Sequence, residues 1–254
     1  MNKSKVLASL VIIIYALFTI FGFMGDQVVA FTLDALILPV IAIAYFVFYK
    51  NKTRYFSLFL IFYALSDLMG LITNLIPYSE SSSLFFKIDY YVGNIMYVLS
   101  YVFLIIEICK SLNFLHVLKN YTIHIIVLTM LNVYLVYVLQ VIVDPEKELL
   151  KVDFYLELIY NIIMLLLLSV SLLNYFYRDN KKALYMFLGT LCLVFSEVID
   201  VAYIYITQRS LLNFIATTLV LIAFYFLCKQ ISLSNDKEEE LDDIYIESSK
   251  SSKL

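Results

Sequence analysis

The sequence predicts an all-α polytopic integral membrane protein, built as a bundle of eight transmembrane helices. Of its 254 residues, 63% are hydrophobic and only 15% are charged, whereas soluble domains are about 45–50% apolar. The mean hydropathy is +0.89. The apolar residues form long runs instead of the short alternating segments of a β-barrel. Five glycines and three prolines are also too few for a turn-rich β fold.

Eight apolar runs, each close to the roughly 20 residues that cross a bilayer, define the predicted spans. The first run follows two lysines and resembles a signal peptide, but it is longer than a signal core and no small-residue cleavage site follows it. We therefore interpret it as a retained span. The later runs are separated mostly by short polar connections, so neighbouring helices are expected to pack antiparallel. The predicted spans are 5–24, 29–49, 54–77, 87–108, 122–143, 152–177, 182–206 and 210–233.

The basic residues between the spans predict the orientation of the bundle, because cytoplasmic ends of membrane helices carry more lysine and arginine. One set of ends carries, in chain order, Lys3, Lys5, Lys50, Lys52, Arg54, Lys110, Lys119, Arg178, Lys181 and Lys182. The other set carries Lys87, Lys147, Lys151 and Arg209. Both termini are therefore expected in the cytoplasm. The expected location is a plasma membrane, or an inner membrane if the source is bacterial.

The composition also limits the domains and the partners. Residues 1–233 form the predicted transmembrane domain, and residues 234–254 form an acidic, serine-rich tail that is expected to be disordered. A net charge of −3 argues against nucleic-acid binding. Three scattered cysteines and two histidines show no metal-ligand or disulfide spacing. We therefore expect neither a metal nor another cofactor.

Four carboxyl groups lie deep in apolar sequence, where one charge costs at least about 2.5 kcal/mol. They are Asp34 in span two, Asp67 in span three, and Glu197 and Asp200 in span seven. The two acids of "FSEVID", residues 195–200, are three positions apart and share a helix face. Because no lysine or arginine lies deep in any span, these carboxyls should share protons instead of all ionising. Together with Asn94 and Ser196, they predict a polar pocket suited to acid–base chemistry.

A purely structural role is the alternative for the same residues. Protonated carboxyls, asparagines and serines can hydrogen-bond neighbouring helices, with an average gain of about 0.6 kcal/mol per contact. The tyrosine and phenylalanine stripes are attributed to lipid contact and helix packing. "ALSDLMG" in span three and "VFSEVID" in span seven each carry a serine followed by an acid. This similarity is compatible with a four-plus-four parallel repeat and also with chance.

Five of the predicted spans carry candidate motifs. The segments are "DALILP" at 34–39, "FYALSD" at 62–67, "GNIMYVLSY" at 93–101, "YNIIMLLLLSVS" at 160–171 and "GTLCLVFSE" at 189–197. They resemble motifs of the YhhN/lysoplasmalogenase family of membrane proteins, whose patterns there are approximately K-P-L-L-M-P, F-S-x-x-G-D, G-x-x-x-F-x-x-x-H, Y-x(6)-M-x(3)-A and G-A-L-L-F-x-x-S-D. The chain departs from them where the family lysine is Asp34, the histidine is Tyr101 and the second aspartate is Glu197.

The resemblance implies an eight-helix protein with both ends cytoplasmic that cleaves the vinyl-ether bond of a lysophospholipid. Asp67 and Glu197 occupy the two acidic motif positions, so they are the expected catalytic residues. The expected substrate-binding residues are Asp34, Asn94, Tyr101, Tyr160, Ser196 and Asp200. We expect Asp67 and Glu197 to face one internal cavity, no more than about one helix diameter (~10 Å) apart, with Tyr101 lining it.

Two other classes of function remain open. A small proton-coupled transporter would also place unpaired acids at the membrane midplane. Such a transporter usually has helix-breaking residues at its site, and only Pro39 is a candidate here. A non-catalytic scaffold or lipid-binding protein would instead use the acidic tail to bind a partner.

Overall fold

Nine α-helices and no strands make up the part of the chain that the structure, a computed structural model, describes: residues 3–50, 52–76, 83–143 and 152–233. The helices are α1 (Lys3–Met24), α2 (Gln27–Phe48), α3 (Arg54–Leu75), α4 (Ser83–Cys109), α5 (Phe114–Asn120), α6 (Thr122–Val143), α7 (Val152–Arg178), α8 (Lys181–Tyr205) and α9 (Ser210–Ile231). All except α5 are long and apolar enough to cross a membrane. The all-α prediction is confirmed, and the eight predicted spans coincide with these eight helices. The predicted tail lies outside the described residues.

Short polar side chains mark where several helices begin. Asp26 follows Gly25, whose φ of 87° turns the chain after α1, and its Oδ1 accepts a hydrogen bond from the Val29 amide at 3.2 Å. Asn180 caps α8 in the same way by accepting from the Ala183 amide at 2.8 Å. Asn113 caps α5, which no apolar run predicted because it has only seven residues. These caps supply partners for amides that a helix leaves unpaired at its start.

Six of the long helices form a closed ring. Each of α2, α3, α4, α7, α8 and α9 packs against the next in this order, and α9 closes the ring by packing against α2. Outside the ring, α1 packs on α2 and α9, and α6 packs on α7 and α8. Because the connections are short, consecutive helices run in opposite directions. We call the end where α1 begins and α9 ends the terminal end, and the opposite end the distal end.

The two halves of the chain repeat one packing scheme. In the first half α1 packs on α2, α2 on α3 and α3 on α4, and in the second half α6, α7, α8 and α9 pack in the same sequence. Ser66 on α3 donates to the Gly93 carbonyl on α4 at 2.9 Å. Ser196 on α8 donates to the Ala216 carbonyl on α9, also at 2.9 Å. The serines that precede the acids in both sequence motifs therefore make corresponding bonds, which favours the four-plus-four repeat over a chance similarity.

The apolar core fills the terminal half of the ring. Phe59 of α3 stacks on Phe224 of α9 with ring centroids 5.6 Å apart and planes 6° apart. Other fully buried members are Tyr45, Phe56, Leu104, Leu193 and Leu227. Between helices in lipid, such contacts stabilise through close van der Waals packing, because lipid tails are as apolar as the side chains. The distal half of the ring contains a cavity.

Candidate functional site: an acid-lined cavity

The distal cavity has a volume of about 560 Å³, and all six ring helices contribute to its wall. Five carboxyl groups of the described residues line it: Asp34 from α2, Asp67 from α3, Asp89 from α4, and Glu197 and Asp200 from α8. No lysine, arginine or histidine is among the described residues of its lining. The volume lies within the range of about 300–1,000 Å³ that is typical of small-molecule sites.

Glu197 is held by three tyrosines from three different helices. Tyr63 of α3 donates to Oε1 at 3.3 Å, and Tyr101 of α4 donates to the same oxygen. Tyr160 of α7 donates to Oε2 at 2.5 Å. Both carboxylate oxygens therefore have hydroxyl donors. The position of the side chain is set by three helices in addition to its own.

Asp67 accepts a hydrogen bond from the hydroxyl of Tyr97 on α4. The ring of Tyr63 lies against the ring of Tyr97, with centroids 4.9 Å apart, and against that of Tyr101, with centroids 6.1 Å apart. Tyr63 therefore packs between Tyr97, which binds Asp67, and Tyr101, which binds Glu197. Edge-to-face contacts of this kind stabilise by about 0.5–1.5 kcal/mol each.

The other acids have fewer partners. Asp34 accepts from Thr217 of α9 at 3.0 Å, which connects α2 and α9 where the ring closes. Asp200 lies one turn beyond Glu197, and no donor among the described residues reaches its carboxylate. Asn94 lines the cavity, while its amide donates to the Tyr90 carbonyl of the preceding turn at 2.7 Å.

The structure brings most of the predicted site residues to one cavity. The predicted residues in its wall are Asp34, Asp67, Asn94, Tyr160, Glu197 and Asp200. Tyr101 is fully buried and is not in the cavity lining, and its hydroxyl binds Glu197, which lines the cavity. Ser196 is also fully buried, and its hydroxyl points to the α9 backbone instead of the cavity. Ser196 is therefore placed to hold α8 against α9, and it does not line the cavity.

Two tyrosines with direct bonds to the acids, Tyr63 and Tyr97, were not among the predicted site residues. The attribution of tyrosine stripes to packing is incomplete here, because their hydroxyls donate to carboxylates. A spacing signal exists in the sequence: Tyr63 precedes Asp67 by four residues, and Tyr97 precedes Tyr101 by four. Residues four apart lie on one helix face, so each pair could have been assigned to the face that carries the acids.

The cavity lining offers carboxyl, phenol and amide groups to a bound molecule. Among the described residues, no three aspartate, glutamate, histidine or cysteine side chains are arranged to hold a metal. Phenol hydroxyls instead occupy the oxygens of Glu197. The cavity thus holds several carboxyl groups close together, each with a different set of hydrogen-bond donors.

The chain was compared with family models, curated proteins and solved structures, and none of them matches it significantly. The YhhN/lysoplasmalogenase resemblance accordingly depends on the five sequence motifs alone.

Proposed function

We propose that the chain hydrolyses the vinyl-ether bond of a lysophospholipid in the distal cavity, with Asp67 and Glu197 as its acid–base pair. One observation carries the proposal. Carboxyls from α3 and α8, which are not adjacent in the ring, line a single cavity that has no basic side chain among its described lining residues. Tyrosine hydroxyls hold each of them.

The reaction needs one carboxylic acid and one carboxylate. The acid protonates the vinyl-ether carbon that is not bonded to oxygen, which leaves an oxocarbenium ion. Water then adds to this cation and loses a proton to the carboxylate. The resulting hemiacetal breaks its carbon–oxygen bond and gives an aldehyde and the alcohol of the glycerophospholipid. Glycosidases divide the work between two carboxyls in a similar way, because their transition states also resemble oxocarbenium ions.

The hydrogen bonds support a specific division of roles. Three phenol donors compensate negative charge on Glu197, which suits the carboxylate that stabilises the cation and activates water. Asp67 has one phenol donor, and we assign it the role of proton donor. Asp200 lies one turn from Glu197, and its proposed role is to modulate Glu197 through a shared proton.

The apolar part of the wall supports a lipid substrate. Phe31, Leu38 and Val220 line the same cavity as the acids. They could accept the alkenyl chain while the polar side chains surround the ether. The lipid would enter between helices from the bilayer.

Isosteric amide variants test the proposed chemistry. Asp67→Asn and Glu197→Gln keep the shape of the side chain but cannot exchange a proton. Each should lower turnover by about 10²–10⁴-fold, which is the usual loss when general acid–base catalysis is removed. Asp200→Asn should lower turnover less. The measurement is aldehyde release from a vinyl-ether lysophospholipid by purified protein.

Asp153→Asn is the matched control, because Asp153 lies on α7 outside the cavity lining and accepts its bond from Tyr91 at 2.5 Å. It should leave turnover unchanged. Full activity in both the Asp67 and Glu197 variants would refute the assignment. A wild-type protein that releases no aldehyde would refute the hydrolase proposal.

A proton-coupled transporter is the second candidate, and Pro39 favours it. Proline lacks an amide hydrogen, so Pro39 leaves the carbonyl of Ala35 without its helical partner. Ala35 lines the cavity beside Asp34, as free backbone carbonyls do at many transporter sites. Proton flux into proteoliposomes, in a protein that releases no aldehyde, would favour this function.

A further inference from the structure

A second pocket lies at the terminal end of the bundle, away from the acid-lined cavity. It has a volume of about 190 Å³ and is lined by α4, α7, α8, α9 and the segments next to them. Among the described residues, three cationic side chains, Lys110, Arg178 and Lys182, line it together with one acid, Glu107. The charge of its lining is thus opposite to that of the distal cavity.

The three cationic side chains of this pocket have different partners. Lys110 Nζ lies 3.5 Å from Glu107 Oε2 and forms an ion pair with it, although this oxygen has no hydrogen-bond partner among the described residues. Arg178 is held by two bonds, from Nε at 3.1 Å and from Nη2 at 2.9 Å, to the Ser111 carbonyl. No acid among the described residues lies within ion-pair distance of Lys182 Nζ. Lys182 is therefore a cation of the lining whose charge no described acid compensates.

The start of α8 adds donors to the same place. Lys182 is the second residue of this 25-residue helix. The Asn180 side chain accepts from the Ala183 amide, and Asn180, Lys182 and Ala183 all line the pocket. The earlier amides of the helix have no partner within it. Helix N-termini attract anions through such amides and through the helix dipole.

Two buried amide side chains give an independent indication of a ligand. Gln230 is 4% exposed and Asn174 is 5% exposed, and both line the pocket. No described residue is a hydrogen-bond partner of the Gln230 side chain. Asn174 Oδ1 accepts from Ser111 Oγ at 2.7 Å, which leaves its NH₂ group without a partner among the described residues. The unpartnered amide atoms of both side chains are not among the fully buried ones, so they are open to the pocket and suited to bind a group inside it.

We propose that this terminal-end pocket binds a phosphate group, bonded by Lys182, the Gln230 and Asn174 amides and the first turn of α8. Phosphate oxygens accept several hydrogen bonds at once and suit a site made of donors. The volume is below the roughly 300–1,000 Å³ of pockets for drug-sized ligands, which favours one compact anionic group. The phosphate belongs to a lipid headgroup or to a free phosphomonoester, and both present the same chemistry.

Binding to purified full-length protein in phosphatidylcholine nanodiscs tests the proposal. The probes are inorganic phosphate added to the solution and phosphatidic acid included in the nanodisc. We expect saturable binding of at least one probe. Lys182→Gln should weaken it by about tenfold, as expected for loss of a charge-assisted hydrogen bond. Gln230→Leu, which keeps every charge, should also weaken it, by a smaller factor.

Lys181→Gln is the matched control, because Lys181 is the neighbouring exposed lysine and does not line the pocket. The Lys181→Gln protein should bind the phosphate probes with the same affinity as the wild type. Binding of phosphatidic acid alone identifies a lipid headgroup, and binding of inorganic phosphate in both nanodiscs identifies a free phosphate. Three results overturn the proposal: no saturable binding of either probe, equal weakening by Lys181→Gln and Lys182→Gln, or full affinity in the Gln230→Leu protein. Unfolding midpoints of all variants exclude misfolding as the cause of a loss.

Discussion

At the scale of single residues, the oxygens of Glu197 connect four helices of the ring. Tyr63, Tyr101 and Tyr160 donate to them from α3, α4 and α7, while Glu197 itself belongs to α8. The loss of a single hydroxyl would therefore affect two properties at once. It would weaken contacts between helices, and it would change the environment of the proposed carboxylate.

Tyr101→Phe should lower the free energy of unfolding. Tyr101 is fully buried, and the expected loss is about 0.6–1.7 kcal/mol, the range from the average to the maximum of hydrogen bonds between membrane helices. Tyr134→Phe is the control, because Tyr134 lies on α6 with 63% of its surface exposed. Unfolding by sodium dodecyl sulfate titration in mixed micelles measures both. Equal stability of the two variant proteins would show that the Tyr101 bond contributes little.

The predicted catalytic residues are carboxylic acids, and the residues bonded to them that the sequence did not predict are tyrosines. Asp67 and Glu197 were found because a carboxyl in apolar sequence is conspicuous. Tyr63 and Tyr97 were missed because tyrosine is common along the chain, which contains 22 of them, and hydropathy does not distinguish a hydroxyl that faces lipid from one that faces an acid. Their roles depend on which helices meet, and that information is not local in the sequence.

At the scale of helices, close approach of α8 and α9 depends on one glycine. A Cβ atom built on Gly189 would lie 2.7 Å from Leu227 Cγ and 3.1 Å from the Ala223 carbonyl oxygen. Leu227 is fully buried, and the carbonyl belongs to the α9 backbone, so neither can move aside easily. Small residues allow membrane helices to approach in this way.

Gly189→Ala should therefore destabilise the protein by about 1–3 kcal/mol, the usual cost of overpacking. Gly70→Ala is the matched control, because a Cβ on Gly70 would meet no atom within 4 Å. The midpoint of thermal unfolding in detergent is the measurement. A Gly189→Ala protein as stable as the Gly70→Ala protein would contradict this account of the α8–α9 contact.

Hydropathy predicted the long helices well because each apolar run is bounded by polar residues. The observed bounds differ from the predicted ones mainly at α4, which begins at Ser83 rather than at residue 87. Hydropathy could not predict α5, which is only seven residues long and depends on its Asn113 cap. It also could not predict the order of the ring, since all eight long helices are similarly apolar.

At the scale of the whole molecule, the terminal and distal ends differ in packing and in charge. The terminal end carries the aromatic core and the basic pocket, and the distal end carries the acid-lined cavity. The predicted orientation places the terminal end in the cytoplasm, where basic residues are enriched. The acid-lined cavity would then lie in the opposite leaflet.

Single-cysteine labelling tests this orientation. We expect cysteines at Lys52 and Lys119, at the terminal end, to react only with a reagent on the cytoplasmic side. Cysteines at Asp26 and Thr207, at the distal end, should react only from the other side. All four positions are exposed, and Cys109, Cys192 and Cys228 would be replaced beforehand. If Lys52→Cys and Lys119→Cys were labelled from opposite sides of the membrane, the antiparallel order of the helices would be contradicted.

The repeated packing of the two halves has a consequence for chain connectivity. The halves meet where α4 packs on α7 and where α9 packs on α2 and α1. The start of α1 and the end of α9 lie at the same end of the bundle as the α4–α6 connection. A circularly permuted chain that began at α6 and joined Ile231 to Lys3 would therefore give every long helix its present neighbours. The neighbours of the long helices are therefore the same whether the chain is opened before α1 or before α6.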